Sequence, residues 1–347
     1  MSVSINSLVA DTRVVALTFR QVLEPVEGPD VPIFPPTYPV AEDNGGHKFN
    51  IPYTINETRD GTRICDLDSV QSQANRMEGA FSGALSDVVP RHAVRAGNHP
   101  PLPLTELPHR IVDASIRATA LGASIREWML DLESGNPEPL ARIAPTSLVY
   151  GAWDSRDTQV RLARAVRSEI RAHNISILTR SAQYSGAFPQ ESLGIGDSEW
   201  NRKKGGAAGV GFAPTPSVDA PGGILAHGEI VQSASILLNV LRKYRTSGGS
   251  DVLPSYLFGL AMGGLLVGAR DYNLRSGCCL VPAGPAEWRS VAVNGERTTV
   301  EISESAVLEE LHEAARAWGD ATGVELGGEA QVHEYDPKAG KAMFGAA

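Results

Sequence analysis

Residues 67–78 have the sequence LDSVQSQANRME, which predicts a helix with two very different sides. One side is apolar and consists of Val70, Ala74, Met77 and Phe81. The other side carries amides, hydroxyls and a single guanidinium, and Asp68 suits the N-cap position. Solvated helix faces are usually rich in Lys and Glu. The pattern therefore indicates either an ordinary amphipathic helix or a surface that contacts a polar, phosphate-bearing polymer.

The bulk composition is that of a globular protein. The 347 residues are 42% hydrophobic and 20% charged, enough for one elaborate domain or two modest ones. Residues 1–10 lack the basic start and apolar run of a secretory signal, and the chain has three cysteines, an odd number without paired spacing. The apolar run Leu253–Ala269 contains a proline and several glycines, so a buried strand or tight helix is favoured over a membrane span. We expect a cytoplasmic protein that contacts no membrane.

The excess of acidic over basic residues is confined to one segment of the chain. The formal net charge is −9, and residues 301–336 hold ten acids and one base, which also gives −9. The remainder of the chain is therefore neutral overall. Because local fields decide where a phosphate backbone can lie, the net charge does not exclude a nucleic-acid partner.

The order of predicted elements favours an α+β fold with an antiparallel sheet over a doubly wound fold. Alternation predicts strands over Asp11–Leu23, Arg110–Arg117 and Ile175–Gln183, and buried strands with turns over Val252–Ala269 and Cys278–Val293. Periodicity predicts helices over Ala120–Leu132, Asp157–Ala172, Glu229–Arg245 and Ser303–Trp318. Residues 25–55, 90–108 and 185–225 are rich in proline, glycine or serine and predict loop insertions.

The predicted helix Asp157–Ala172 is a candidate phosphate-binding element. On a helical wheel, Arg161, Arg164, Arg167 and Arg171 share one side, opposite Leu162, Val166 and Ile170. Such a stripe is typical of a surface that tracks phosphates, and equally of an ordinary solvated basic face.

Further basic and aromatic residues follow this segment. Arg180 precedes Ser181, Gln183 and Tyr184 on a predicted strand, where the tyrosine suits either base stacking or packing. Lys203 and Lys204 form a basic tip within residues 185–225, and Arg20 lies in the first strand. These residues are candidates for contacts with RNA phosphates on their local chemistry.

Signals for catalysis and cofactors are weak. The eight histidines are scattered without metal-ligand spacing, and no Gly-x-Ser-x-Gly motif occurs. The glycine-rich residues 205–211 lack the Gly-Lys-Ser/Thr ending of a P-loop. We predict no catalytic residue, no metal site and no cofactor, although a triad that meets only in space stays open.

Four motifs together resemble a known family. They are Phe34-Pro35-Pro36-Thr37-Tyr38, residues 68–76, Trp153-Asp154-Ser155-Arg156 and Arg180-Ser181-Ala182-Gln183-Tyr184. They are similar to the backbone subunit of type I-G (formerly I-U) CRISPR effector complexes, the Cas-seven-type member of the RAMP superfamily. The resemblance extends over about residues 11–335.

The resemblance implies an RRM-like, ferredoxin-like palm within a single elaborated domain spanning residues 1–347. Loops would be inserted as thumb and fingers, with residues 185–225 a candidate thumb or finger and 301–336 an acidic C-terminal segment. Copies of such a subunit assemble head to tail along a CRISPR RNA whose bases pair with target DNA in antiviral defence. Other effector subunits, a large subunit and a Cas-five- or Cas-six-type subunit, would be further partners.

The resemblance also implies which residues contact the guide RNA. The motif positions are Ser69, Gln71, Ser72, Asn75 and Arg76, followed by Arg156 and Arg180 to Tyr184. We expect a non-catalytic RNA-binding subunit. Two alternatives remain open: a RAMP-type endoribonuclease that processes precursor CRISPR RNA through His99 or His109, and an unrelated cytoplasmic enzyme of mixed architecture.

Overall fold

The computed structural model describes residues 4–39, 51–184, 186–213, 215–246 and 248–344. The strands are β1 (Val14–Pro25), β2 (Ile55–Glu57), β3 (Arg63–Asp68), β4 (Pro90–Arg95), β5 (Leu102–Pro103), β6 (Ala152–Trp153), β7 (Arg161–Leu162), β8 (Val166–His173), β9 (Ile175–Tyr184), β10 (Thr215–Ala226), β11 (Ile230–Leu237), β12 (Asn273–Arg275), β13 (Cys278–Pro282), β14 (Glu287–Ala292), β15 (Arg297–Thr299) and β16 (Gly327–Glu334). The helices are α1 (Ile5–Ala10), α2 (Val70–Gly79), α3 (Ala114–Arg117), α4 (Gly122–Glu133), α5 (Glu138–Ala141), α6 (Pro145–Tyr150), α7 (Gln190–Leu193), α8 (Asp197–Trp200), α9 (Leu238–Leu241), α10 (Val252–Gly263), α11 (Glu304–Thr322) and α12 (Pro337–Met343).

An antiparallel sheet forms the centre of the fold. Its strands lie in the order β12–β13–β1–β11–β8–β3–β2, and every pair along this path is antiparallel. β13 pairs with the end of β1, from Leu23 to Pro25, and β14 pairs with its earlier part, from Val14 to Arg20. The predicted α+β class with an antiparallel sheet is confirmed.

The hydrophobic core lies between one face of this sheet and the helices. Leu17 and Phe19 point from β1 into a cluster that also contains Met77 of α2 and Leu257 of α10. Every residue from Leu253 to Gly263 is buried, because α10 packs against α6 and α11 as well as the sheet. An apolar segment that is hydrophobic on all sides is typical of such a central helix. None of the helices within the described residues is long and apolar enough to cross a membrane.

The predicted helix over Asp157–Ala172 is wrong. Residues 161–162 form β7, and Val166–His173 forms β8 in the centre of the sheet. Buried and more exposed residues alternate along β8, with Val166, Ser168, Ile170 and Ala172 facing the core. The arginines at odd positions fit a period of two as well as a helical stripe, and sheet pairing on both sides of β8 selected the strand.

Residues 90–108, predicted as a loop insertion, contain β4 and β5. Three other predicted segments also differ from the structure. Residues 230–237 of the predicted helix Glu229–Arg245 form β11, and Val252–Ala269 contains α10 instead of strands. Arg110–Arg117 forms a 3-10 turn followed by α3. Short apolar runs fit a buried strand and a buried helix equally well, so tertiary packing decides between them.

Several predicted elements are confirmed. β1 and β9 correspond to the predicted strands Asp11–Leu23 and Ile175–Gln183. Helices α4 and α11 correspond to Ala120–Leu132 and Ser303–Trp318, and β13 and β14 lie within Cys278–Val293. Ser303 caps α11 by accepting a hydrogen bond from the backbone N–H of Ala306.

Two histidines meet where β4 and β16 pair in parallel. The Nδ1 of His92 lies 3.0 Å from the Nε2 of His333, and the rings are stacked. Burial, with a smaller contribution from His333, lowers the pKa of His92 to about 4, and burial also lowers the pKa of His333. The folded state therefore holds this pair neutral at pH values where the free imidazoles would be protonated.

We expect the free energy of unfolding to decrease as the pH falls from about 6.5 towards 4. The unfolded chain binds protons on these histidines in that window and the folded chain does not, which amounts to about 3 kcal/mol for His92. Urea unfolding of the wild type and His92→Gln across this range measures the effect. The variant should lose a large part of the acid dependence, whereas identical pH slopes for the two proteins would contradict the assignment.

Candidate nucleic-acid interface

The first turn of α2 contains the serine and amide residues predicted to contact RNA. Ser69, not Asp68, is the N-cap residue, and its side chain accepts a hydrogen bond from the backbone N–H of Ser72. Gln71 and Asn75 are exposed, whereas Ser69 and Ser72 are half-buried. Gln71 and Asn75 are therefore the motif residues most open to a ligand.

Asp68 and Arg76 form a structural contact at the end of β3. The Asp68 side chain is 1% exposed and accepts hydrogen bonds from Nε2 of Gln73 at 2.6 Å and Nε of Arg76 at 3.0 Å. Nη2 of Arg76 donates to the backbone oxygen of Leu274 at 2.9 Å. The Arg76 guanidinium thus connects α2 to β3 and β12, and its role in RNA binding stays a prediction.

Gln73 continues this network into the protein interior. Its Oε1 accepts hydrogen bonds from Oγ of Ser168 at 2.7 Å and Nε2 of Gln232 at 3.0 Å. The hydroxyl of Tyr272 donates to Oε1 of Gln232 at 2.8 Å. Buried polar groups of this kind are costly unless they are paired, so the network fixes the position of α2 on β8 and β11. Asp68, Gln73 and Arg76 of the motif therefore hold α2 in place, whereas Gln71 and Asn75 face solvent.

The division within the motif gives a test with two matched variants. We expect Arg76→Ala to lower the free energy of unfolding by about 1–3 kcal/mol, because it leaves Asp68 partly unpaired in the interior. Asn75→Ala, one position away and exposed, should leave stability within about 0.5 kcal/mol of the wild type. Denaturant unfolding and RNA binding are measured for both. Equal stability of the two variants would show that the Asp68 contact contributes nothing.

A long hairpin of β9 and β10 projects from the central sheet between β8 and β11. Its base is held by Tyr53, whose hydroxyl accepts a hydrogen bond from the backbone N–H of Gly223, and by the bridge between Ile33 and Ile224. The inner part of β9 is partly buried, but all residues from 179 to 184 are exposed. The hairpin is thus anchored at one end and open to solvent along its outer half.

The outer half of β9 carries the predicted motif residues. Arg180, Ser181, Gln183 and Tyr184 are all exposed, and the Arg180 guanidinium lies 5.3 Å from the centroid of the Phe34 ring. Residues 215–225 belong to β10, which replaces the predicted loop there. The segment between the two strands contains α7 and α8, and the exposed Lys203 and Lys204 follow α8. This arrangement brings the basic tip and the strand motif onto one hairpin.

An open groove lies beside the N-terminal turn of α2. It has a volume of about 460 Å³, and its walls come from α2, residues 108–112, the end of α6 and the β6–β7 hairpin. Gln71, Arg161 and Arg164 line it, together with His109 and Trp153. Trp153 and Arg161 are directly opposite each other on β6 and β7, and the guanidinium lies 4.1 Å from the Trp153 ring centroid. Three of the predicted RNA-binding residues are therefore brought together.

The floor of the groove is a buried ion pair. Arg110 is 4% exposed, and its Nε donates to Oε2 of Glu78 at 2.5 Å while Nη1 donates to the backbone oxygen of Gly151 at 3.2 Å. Arg164 donates from Nε to the backbone oxygen of Tyr150 at 3.1 Å. Burial raises the pKa of Glu78 to about 7 against the opposing effect of Arg110, and burial and the Arg110 charge lower the pKa of Arg164. Arg110 thus pairs directly with Glu78, and Arg164 lies close enough for the charges of both to affect its pKa.

Arg110 adopts a left-handed backbone conformation with φ of 55°, which is uncommon for a residue with a side chain. Neither Nη2 of Arg110 nor the hydroxyl of Tyr150 has a hydrogen-bond partner among the described residues. Strained backbone and unsatisfied buried donors tend to occur at functional sites. Sequence reasoning missed Arg110 and Glu78, because only the fold brings positions 78, 110 and 164 together.

The remaining predicted arginines lie elsewhere. Arg156 is exposed in the turn between β6 and β7. Arg20, Arg167 and Arg171 lie on the sheet face opposite the helices, where Arg20 pairs with Glu229 and Arg171 pairs with Asp66 and Glu169. Arg167 also pairs with Glu169. The predicted four-arginine stripe is therefore wrong: two members line the groove and two are paired with carboxylates on the sheet.

Comparison with known proteins gives one informative match. The model of a family described as CRISPR-associated protein GSU0053 matches residues 17–177. This part of the chain is similar to a CRISPR-associated family. The matched residues include most of β1, α2, the groove and β8, and the outer half of the hairpin lies beyond them. The match supports a CRISPR-associated protein, whereas the type I-G subtype and the backbone role stay predictions.

A chain of a solved structure also aligns with most of this chain. A chain described as "CRISPR RNA-guided surveillance complex, pre-nicking" aligns with 96% of this chain and 99% of its own length, at 11% identity and a TM-score of 0.36. No curated protein gives a significant match. Among the described residues, no three His, Cys, Asp or Glu side chains come together in a way that would hold a metal ion.

Proposed function

We propose that this chain is a non-catalytic subunit that binds CRISPR RNA along the backbone of a type I effector complex, of the I-G subtype. The observation that carries the proposal is the anchored hairpin, whose exposed strand offers a guanidinium, a hydroxyl, an amide and a phenol in sequence. Arginines neutralise phosphates, and polar side chains donate to phosphate and ribose oxygens. The CRISPR-associated family match over residues 17–177 supports the same conclusion.

The strand connectivity supports an RRM-like palm. The chain runs from β1 through helices to β8, through the hairpin to β11, and through α10 to β13 and β14. In space these strands lie in the order β13/β14–β1–β11–β8, so the first and third strands are the central pair. This order matches that expected for the β-α-β-β-α-β arrangement of ferredoxin-like folds, with β2 and β3 added at one edge, and it supports the proposed palm. In this proposal the β9–β10 hairpin is the thumb inserted between the second and third palm strands.

The proposal includes the other components of the complex. Copies of the chain would stack head to tail along the guide, since heterologous contacts that do not close generate filaments. Target DNA would be recognised through the guide RNA bases, while the protein reads backbone and shape. The large subunit and a Cas-five- or Cas-six-type subunit would bind at the ends or along the side of this assembly.

The groove chemistry favours binding over RNA cleavage. His109 lines the groove, which is a specific reason to consider the endoribonuclease alternative. Acid–base cleavage generally needs both a positioned base and a positioned acid. The groove lining contains one histidine but no lysine or carboxylate, and the Tyr150 hydroxyl is buried with a strongly raised pKa. These groups suit holding an intact strand.

Binding and cleavage of RNA are tested with one purified protein. We expect the wild type to bind single-stranded oligoribonucleotides of different sequence with similar affinity, and log K should fall linearly with log salt, by roughly 0.7 for each phosphate neutralised. Gel analysis after prolonged incubation should show intact RNA. Cleavage that His109→Ala abolishes would support the nuclease instead, and absence of binding at low salt would contradict both RNA functions.

A further inference from the structure

The groove beside α2 has the properties of a binding site for a ligand with an aromatic part and an anionic part. Trp153 is 51% exposed although it stands in a groove wall. The Arg161 guanidinium lies against its ring and leaves the edge of the groove positively charged. Because Arg161 covers one face of the ring, a planar group would stack on the part of the ring that this guanidinium leaves exposed, and a rigid aromatic side chain loses little conformational entropy on binding.

The charge in the groove is unbalanced on the positive side. Among the described residues, its lining contains the guanidiniums of Arg110, Arg161 and Arg164 and no carboxylate. The carboxylate of Glu78 lies beneath the groove and pairs with Arg110. The nearby acids Asp154 and Asp157 are already paired, with Arg117 and Arg126. In a chain with a net charge of −9, this local excess of guanidinium favours an anionic ligand over a cationic one.

Arginine N–H groups without hydrogen-bond partners also favour an anionic ligand in the groove. Nη2 of Arg110 is buried without a partner, and Arg164 uses only its Nε among the contacts that the described residues make. A guanidinium with free N–H groups matches the geometry of phosphate oxygens. A phosphate in the groove would supply acceptors for the N–H groups of Arg164 that the described residues leave unused.

Gly151 holds the β6–β7 hairpin close to the buried Arg110. Gly151 begins the β6–β7 hairpin with φ of 77°, and a Cβ there would lie 2.9 Å from the backbone oxygen of Leu162. The same glycine accepts a hydrogen bond from Arg110 through its carbonyl oxygen. The hairpin that carries Trp153 and Arg161 is therefore tied directly to the buried arginine.

We propose that this groove holds a single nucleotide unit of the bound RNA, with the base stacked on Trp153 and the phosphate on Arg161 and Arg164. The proposal rests on the proposed RNA-binding function and assigns a specific site to it. A volume of about 460 Å³ falls within the range of small-ligand clefts, roughly 300–1,000 Å³. Because the base is held by stacking, the site should accept any base.

The first experiment uses a mononucleotide and tryptophan fluorescence on the full chain. Uridine 5′-monophosphate should quench the emission, and uridine or inorganic phosphate alone should bind at least several-fold more weakly. Trp153→Ala should abolish the quenching, while Trp153→Phe should retain nucleotide binding in calorimetry because a smaller aromatic ring remains. Equal responses to nucleotide and phosphate would mean a simple anion site and would overturn the proposal.

The second experiment separates this inference from the function on which it rests. We expect Trp153→Ala and Arg161→Ala each to weaken oligouridylate binding about 10-fold, and Arg297→Ala, an exposed arginine on β15, to leave it unchanged. Wild-type affinity in both groove variants would overturn the nucleotide site and leave the RNA function standing. If the wild type ignores oligouridylate but still shows Trp153-dependent quenching by the mononucleotide, the RNA function is wrong and the site stands. If it responds to neither, both are wrong.

Discussion

Replacing Arg110 with methionine should lower the free energy of unfolding by about 3–5 kcal/mol at pH 8, the largest effect that we expect from a single substitution. The side chains of Arg110 and Glu78 are 5% and 2% exposed, and they pair at 2.5 Å. Removing one member of a buried pair leaves the other charge without compensation in a poorly solvating interior. Thermal and urea unfolding monitored by circular dichroism measure the loss.

The pH dependence of this loss identifies its cause. Burial already raises the pKa of Glu78, and removing Arg110 raises this pKa further, since the opposing cation is gone. At pH 5 the carboxyl group of Arg110→Met can be neutral, so the variant should recover a large part of its deficit relative to the wild type. Because the pKa of Glu78 is raised to about 7, the wild type itself loses this negative charge at pH 5, so the deficit of Glu78→Gln relative to the wild type should also shrink there.

A double substitution serves as the control. Glu78→Gln combined with Arg110→Met removes both charges, and it should be less destabilised than the sum of the single variants. Additive losses, with no relief of Arg110→Met in acid, would show that the buried pair contributes through packing alone.

Removing the three basic residues of the hairpin should give the second large effect. The triple variant Arg180→Ala/Lys203→Ala/Lys204→Ala should bind single-stranded RNA more weakly by roughly 1,000-fold, at about 1.5 kcal/mol for each lost contact to a charged group. The salt dependence should also become shallower, by roughly 2 in the slope of log K against log salt if each residue neutralises one phosphate. Fluorescence anisotropy over a salt series measures both quantities.

Stability should hardly change in this triple variant, because all three side chains are exposed on a hairpin that is anchored at its base by Tyr53 and Ile33. A variant with the same loss of charge, Arg297→Ala/Lys338→Ala/Lys341→Ala, controls for net charge. These residues are exposed on β15 and α12. Equal weakening in both triple variants would mean that RNA responds to overall charge and that the hairpin has no specific role.

The sequence predicted elements best where the hydrophobic pattern had only one interpretation. The alternation in β1 and the capped amphipathic pattern of α11 belong to a strand half-covered by helices and to a helix with one buried side. The pattern over residues 157–172 was ambiguous, since Arg167 and Arg171, four residues apart, share one face of a strand and also one side of a helical wheel. Pairing with β3 and β11, which lie about 100 and 60 residues away along the chain, selected the strand.

The candidate interface was predictable in part for the same reason. Gln71, Asn75 and the residues from Arg180 to Tyr184 were identified because their chemistry is visible in local sequence, and the structure leaves them exposed. Arg76 has an additional role that the sequence did not indicate, because its partner atoms on Asp68 and Leu274 come from β3 and β12. A local motif does not distinguish a side chain that faces solvent from one that is held by a distant strand.

The amino-acid sequence alone determined the α+β class, the position of the α2 motif and its resemblance to a CRISPR-associated family. The fold class and the position of the motif follow from local periodicity and capping, and the resemblance rests on four short sequence motifs. Only the tertiary structure decided that the arginines of residues 161–171 separate, that Arg110 is buried against Glu78, and that Trp153 and Arg164 line one groove. Such features depend on contacts between residues far apart in the chain, which chain topology and the close packing of the core select.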